Sequence, residues 1–206
     1  MSIFHGGWNF NLKILIIDNY DSFVYNVAQL IGKLGCEPEV IRNDERSVRE
    51  IRNMNPDGIV ISPGPGTPTE KRDFGVCGSV ISELGPSFPI LGICLGHQGI
   101  VSSFGGKIIN AKEIRHGKTS EIQYYSSNLF SNLDNPFIAT RYHSLVADPY
   151  RIPECLEVTA LSIDDHEIMA VKHKKYLIEG VQFHPESVMT VQGPQILLNF
   201  INMIKK

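Results

Sequence analysis

No run in this sequence approaches the roughly 20 consecutive apolar residues that a membrane-spanning helix needs. There is no basic excess either: 19 Lys and Arg stand against 22 Asp and Glu, for a net charge of −3. The first absence argues against a membrane protein, and the second against nucleic acid as a partner. Cysteine is sparse, and Cys36, Cys77, Cys94 and Cys155 form no C-x-x-C pair and no His/Cys spacing suited to zinc. A disulfide framework and a metal site are therefore not expected, and a reducing cytoplasm is. Residues 1–11 lack the basic start and apolar core of a secretory signal. The first strand is not followed by G-x-G-x-x-G, and no G-x-x-x-x-G-K-[ST] occurs, so dinucleotide and P-loop phosphate binding have no support.

What is present describes an ordinary globular chain: 206 residues, 42% hydrophobic and 20% charged, enough for one domain with an ample core. Residues 1–12 read as a leader and 13–206 as that domain. KILIID at 13–18 is a continuous β-branched run suited to a strand buried on both faces of a parallel sheet. Asn19, Tyr20, Asp21 and Ser22 supply turn and N-cap chemistry. Phe23, Val27, Leu30, Ile31 and Leu34 follow at helical spacing, with Gly35 placed to end the helix. Further strands are expected at 39–42, 58–62 and 89–93, with a helix from Val48 capped by Ser47 and another over 74–84. After Gly105-Gly106 the rhythm changes to short β-like segments at 107–110, 121–125, 137–142, 156–162 and 168–172. A compact strand at 180–183 and a helix over 194–204 close the chain. Strand–helix alternation followed by strands predicts an α/β fold: an open, mainly parallel sheet flanked by helices, with antiparallel strands added in the second half.

Three stretches carry candidate chemistry. Gly92-Ile-Cys94-Leu-Gly96-His-Gln98 reads as a strand passing through a tight turn into a helix, the cysteine analogue of a nucleophile elbow. A thiol at a helix N-terminus is biased towards thiolate, below the roughly 8.5 of a free cysteine. The alternative is a small buried hydrophobe. Ser62-Pro-Gly64-Pro65-Gly66-Thr-Pro68 lies at a strand's C-terminal end, where open α/β sheets bind ligands; it reads either as a backbone platform or as a stiff turn. In Gln182-Phe-His184-Pro-Glu186-Ser, Pro185 favours extended backbone, which puts His184 and Glu186 on one side. Cysteine, histidine and carboxylate together make an acyl-transfer triad. Asp18 and Asp21, which in another context would suit Mg²⁺ or a phosphoryl group, are explained by ordering the turn.

These motifs resemble the class I, or triad, glutamine amidotransferase family. Residues 19–26, 116–120 and 141–145 resemble more narrowly the glutaminase subunits of anthranilate synthase and aminodeoxychorismate synthase. The resemblance implies a flavodoxin-like fold and a thioester route in which Cys94 attacks L-glutamine, His184 moves protons and Glu186 holds His184. It also implies an oxyanion hole from the Leu95 and Gly64 backbone N–H groups, and glutamine binding by Gly64, Pro65, Gly66, Gln98, Ser144 and Leu145. The implied partner is a chorismate-using synthase, component I of anthranilate synthase, facing Asn19, Tyr20, Asp21, Ser22, His116, Gly117, Lys118, Thr119 and Ser120. No metal or cofactor is expected in this chain, and Mg²⁺ only in the partner. The competing readings are a stand-alone cysteine hydrolase and a non-catalytic subunit.

Overall fold

The computed structural model describes residues 11–205; most of the expected leader, residues 1–10, lies outside the described residues, as does Lys206. In chain order come β1 (Lys13–Asp18), α1 (Val24–Lys33), β2 (Glu37–Arg42), α2 (Val48–Met54) and β3 (Gly58–Ile61). Two short helical turns, α3 (Lys71–Phe74) and α4 (Cys77–Ser79), run into a π-helical turn over Val80–Leu84, followed by β4 (Ile90–Ile93) and α5 (Leu95–Ser103). The second half holds β5 (Ile108–Asn110), β6 (Lys118–Tyr124), β7 (Phe137–Arg141), β8 (Leu145–Ala147), β9 (Leu156–Ser162), β10 (Ile168–His173), β11 (Ile178–Val181) and α6 (Gly193–Ile204).

Nine strands form one sheet in the order β2-β1-β3-β4-β11-β10-β9-β6-β7. It is parallel from β2 to β11 and antiparallel from there to β7, as the change of rhythm after Gly106 predicts. A small antiparallel pair, β5 with β8, stands apart. The apolar run of β1 feeds two cores because successive side chains point to opposite faces. Ile14 and Ile16 pack with Val27 and Ile31 of α1 and with Ile196, Leu197 and Phe200 of α6. Leu15 and Ile17 pack on the other face with Ile51 of α2 and Ile100 and Val101 of α5. The chain leaves β1 for β2 on one side and reaches β3 on the other, so the C-terminal ends of β1 and β3 flank the crevice where such sheets take ligands.

Several expected boundaries move for identifiable reasons. Ser47 does cap α2, in a reciprocal capping box with Glu50. Helix α1 instead starts after Phe23 with no capping side chain. Asp18 accepts the Asp21 N–H (2.9 Å) and Asp21 accepts the Phe23 N–H (3.0 Å), so the two carboxylates tighten a turn in which Tyr20 has φ 59°. The helix expected over 74–84 is interrupted at Gly75, φ 49°, where the chain lies so close to Asn43 that a Cβ would meet its carbonyl oxygen at 2.2 Å. Lys118–Tyr124 is a strand from its first residue, so Lys118, Thr119 and Ser120 belong to the sheet and not to a loop. The last strand ends at Val181, and Gln182 and Phe183 continue past it.

A buried ionic cluster fixes the segment after β7. Arg141 is fully buried; its Nη2 pairs with Glu167 (2.5 Å), its Nη1 with Asp165 (2.9 Å) and Asp164 (3.3 Å), and its Nε donates to His143 Nε2 (3.0 Å). Arg115 shares Asp164 and Asp165. Burial works against the Asp165 charge, but the Ser162 hydroxyl and the two guanidinium groups outweigh it and hold the carboxyl at about 2. A depressed carboxyl stabilises the fold above its unfolded pKa and loses that contribution as pH falls through the folded one. Arg141→Met should strand the buried carboxylates, costing about 3–5 kcal/mol at neutral pH and lowering Tm by roughly 10 °C. Thermal unfolding from pH 7 down to pH 2 checks this, with the deficit against the unsubstituted protein narrowing at the acid end.

Candidate active site

Cys94 sits between β4 and α5 with φ 52° and ψ −99°, a left-handed backbone that a residue with a Cβ rarely adopts. Its N–H bonds to the Val181 carbonyl (2.8 Å), and its own carbonyl takes the Gln98 N–H (3.0 Å). Glycine is required on either side of it. A Cβ on Gly92 would meet the Gly96 backbone at 2.5 Å, and one on Gly96 would meet the Ile61 carbonyl oxygen at 2.4 Å. The strained strand-to-helix elbow is thus present, and it lifts the sulfur off the sheet at the start of α5. The first N–H groups of a helix have no carbonyl partner within it, and Leu95 is the first residue of this one.

Beyond the adjacent strand β11, His184 and Glu186 are both buried, and His184 Nδ1 meets Glu186 Oε1 at 2.5 Å. The segment is anchored through its backbone, with His184 N–H donating to Thr140 (2.9 Å) and the Thr190 hydroxyl donating to the His184 carbonyl (2.8 Å). Burial alone would push the imidazole pKa down, but the Cys94 sulfur and the Glu186 carboxylate raise it well above the ordinary value. Nδ1 is committed to Glu186, while Nε2 is buried without a hydrogen-bond partner among the described residues. Gln182 Nε2 donates to the Cys94 sulfur (3.5 Å), and Gln98 Nε2 donates both to Gln182 Oε1 (3.1 Å) and to the Leu145 carbonyl (2.9 Å).

Cys94 and Gln98 open onto a cavity of about 160 Å³ lined also by Gly64, Pro65, Gly66, Leu95, Tyr142, His143, Ser144 and Leu145. All of the residues expected to bind glutamine meet there. The Gly64 loop is pressed onto Asn19, where a Cβ would stand 2.6 Å from both the Asn19 side chain and its carbonyl. Asn19 is buried: it donates to the Ser62 carbonyl (2.9 Å) and accepts from Asn43 (2.9 Å) and from the Cys77 thiol (3.3 Å). It is an internal clamp for the loop rather than a surface for a partner. Ser120 is likewise buried, held by Arg141 and Asp164. Tyr20, Asp21, Ser22 and His116 do line a neighbouring cavity of about 270 Å³ that also reaches Cys94 and His184. Lys118 and Thr119 are exposed, and Gly117 is half-buried.

Three groups in the site escape the sequence reading. Gln182 shares a side with His184 by the same i, i+2 logic that pairs His184 with Glu186. Tyr142 and His143 lie within 141–145, where the family resemblance gives chemistry only to Ser144 and Leu145. Burial and the nearby Arg141 hold His143 neutral, its pKa pushed down to about 3. Among the described residues no group of three or more His, Cys, Asp and Glu side chains is arranged to hold a metal ion.

The family model for class-I glutamine amidotransferases matches residues 15–204. The chain is 54% identical to anthranilate synthase component 2 of Saccharolobus solfataricus over 92% of this chain and 98% of that one. It is 48% identical to the aminodeoxychorismate/anthranilate synthase component 2 of Bacillus subtilis, over 94% and 97%. It is 53% identical to the bifunctional protein TrpGD of Thermotoga maritima over 93% of this chain, but it spans only 32% of that longer protein. A solved structure from Thermoplasma acidophilum, named for one of the subunits of GMP synthase, superposes with a TM-score of 0.81 at 28% identity over 94% of each chain. An elbow cysteine opposite a carboxylate-held histidine, on an open α/β sheet, therefore sits in a chain that belongs to the class-I glutamine amidotransferase family.

Proposed function

We propose that this chain is the glutaminase subunit of an anthranilate synthase, hydrolysing L-glutamine and passing ammonia to a chorismate-using subunit in tryptophan biosynthesis. The observation that carries the chemistry is the buried His184–Glu186 pair acting on the sulfur of an elbow cysteine. The choice of branch rests on the component 2 relatives. The dual name of the Bacillus subtilis relative favours a second reading, in which one chain also serves the folate branch. The free cysteines suit a reducing cytoplasm. No cofactor is assigned to this chain, and Mg²⁺ belongs to the synthase subunit.

In this mechanism the Cys94 thiolate attacks the side-chain amide carbon of glutamine, and the developing oxyanion is met by the Leu95 and Gly64 N–H groups. Donors of this kind contribute a few kcal/mol in the transition state. His184 gives its proton to the leaving nitrogen, ammonia departs and a γ-glutamyl thioester remains. Water then attacks with His184 as base, releasing glutamate and the thiol. Glu186 keeps the imidazole oriented and favours its charged form. Gln98, Ser144 and Leu145 hold the substrate. Ammonia released to water at neutral pH becomes ammonium, which is not a nucleophile, so the chemistry is useful only beside a partner. Exposed apolar side chains stand at the mouth, Tyr20 and Phe23 about half exposed and Val188 94% exposed. A docked subunit would cover them.

Three outcomes follow. Cys94→Ala should abolish glutamine-dependent synthesis by the complex and leave synthesis from ammonium salts largely intact; equal loss of both refutes the division of labour. Glu186→Gln should cut glutamate release by about 10²- to 10⁴-fold. It should also move the alkaline limb of the pH–rate profile to lower pH, because removing the carboxylate charge removes a cause of the raised His184 pKa. Val188→Asp should leave the fold and Tm unchanged yet weaken co-purification with the synthase subunit, as measured by pull-down and by the stimulation of glutamate release when that subunit is added.

A further inference from the structure

One side chain belongs to three cavities around the catalytic pair. Tyr142, half-buried at the end of β7, lines the glutamine cavity beside Gln98 and Ser144. It also lines the cavity of about 270 Å³ shared by Asp21, Pro63, Cys94, His116 and His184. A third cavity, of about 250 Å³ and walled by Phe23, Glu186 and Val188, has it as well. Its ring stands edge-on to His184, with centroids 5.1 Å apart at 78°, and edge-on to His116 at 5.4 Å and 88°. The chain on either side of it is pinned: Gly117 N–H bonds to the Arg141 carbonyl and Arg115 N–H to the His143 carbonyl, each at 3.0 Å. Gly117, at φ 70°, brings its loop so close that a Cβ there would lie 3.3 Å from the Tyr142 ring. A planar ring fixed by its backbone and packed between two imidazoles is a partition.

We propose that Tyr142 is a positioning residue that divides the site into a glutamine side and an ammonia side, while its edge contact holds the His184 imidazole against Cys94. The inference rests on the glutaminase reading above. With the γ-glutamyl group filling the cavity of about 160 Å³, the leaving nitrogen and the incoming nucleophile use the cavity of about 270 Å³ that contains both Cys94 and His184. The Asp21 carboxyl stands in the wall of that second cavity. Burial pushes its pKa up, the Phe23 N–H works against this, and the charge of Glu186 adds to the rise. Tyr142 therefore sets the size of nucleophile that reaches the thioester.

Hydroxylamine probes this directly in the intact chain. Its nitrogen attacks the thioester carbonyl carbon, the C–S bond breaks, a nitrogen proton passes to the sulfur by way of His184, and γ-glutamyl hydroxamate leaves in place of glutamate. At fixed glutamine and hydroxylamine, Tyr142→Ala should raise the ratio of hydroxamate to glutamate several-fold. The same variant should lower kcat for glutamate release by about tenfold or more while changing KM for glutamine little, and Tyr142→Phe should match the unsubstituted protein in both. The ratio is read only on molecules that turn over, so partial unfolding does not mimic the effect. If the alanine variant fails to fold, Tyr142→Leu, which fills the space without a planar ring, carries the same expectation. An unchanged ratio in the variant that folds, or a phenylalanine variant as impaired as the alanine one, overturns the proposal. Failure of the underlying reading looks different: the unsubstituted chain, given glutamine, would then form neither product in a Cys94-dependent way.

Discussion

The left-handed backbone at Cys94 is the constraint on which the site depends. A strained residue of this kind costs on the order of 1–3 kcal/mol and persists only where its surroundings dictate it. Here they do so from three sides. β11 takes the Cys94 N–H, α5 begins on its carbonyl, and Gly92 and Gly96 allow the strand and helix to close on each other and on Ile61. The position of the sulfur is thus a property of the central parallel strands, which are fully buried, and not of a mobile loop.

Electrostatics then sorts three buried histidines near the same cysteine. His97, packed in α5 against Gly180, is pushed down to about 4 by burial. His143 is pushed lower by burial and by Arg141, which occupies its Nε2. Only His184 is carried the other way, because its neighbours are a carboxylate and a sulfur in place of a guanidinium. One fold therefore pushes two imidazoles towards the neutral form and the third towards the charged one. The ionic cluster around Arg141 contributes on both counts, since it anchors the 141–145 segment in the cavity beside Cys94 and keeps His143 neutral.

Much of this is readable from residue order. The continuous apolar run of β1, the glycines flanking Cys94 and the i, i+2 spacing of His184 and Glu186 each have one dominant physical meaning, and the structure agrees with each. The changes come where tertiary contacts override local pattern. Asn19 has the composition of a surface turn, but its polar contacts come from Ser62, Asn43 and Cys77, distant in sequence. The break at Gly75 depends on a close approach to Asn43 that no helical periodicity reveals. Tyr142 and His143 gain their meaning only when β7, the Arg115–Gly117 loop and the 184–188 segment meet.

The order in which the sheet is assembled has a consequence for biosynthesis. The elbow strand β4 pairs with β11, and Gln182, which touches the Cys94 sulfur, lies 88 residues downstream of that cysteine. On the ribosome the Cys94 thiol emerges well before the His184 imidazole, and the side of β4 that takes β11 stays vacant until β11 has been made. A pairing this distant in sequence also comes late and slowly in folding. The nascent protein thus carries Cys94 uncoupled from Gln182 over the 88 positions that separate them, and the surroundings of the cysteine are complete only when β11 has entered the centre of the sheet.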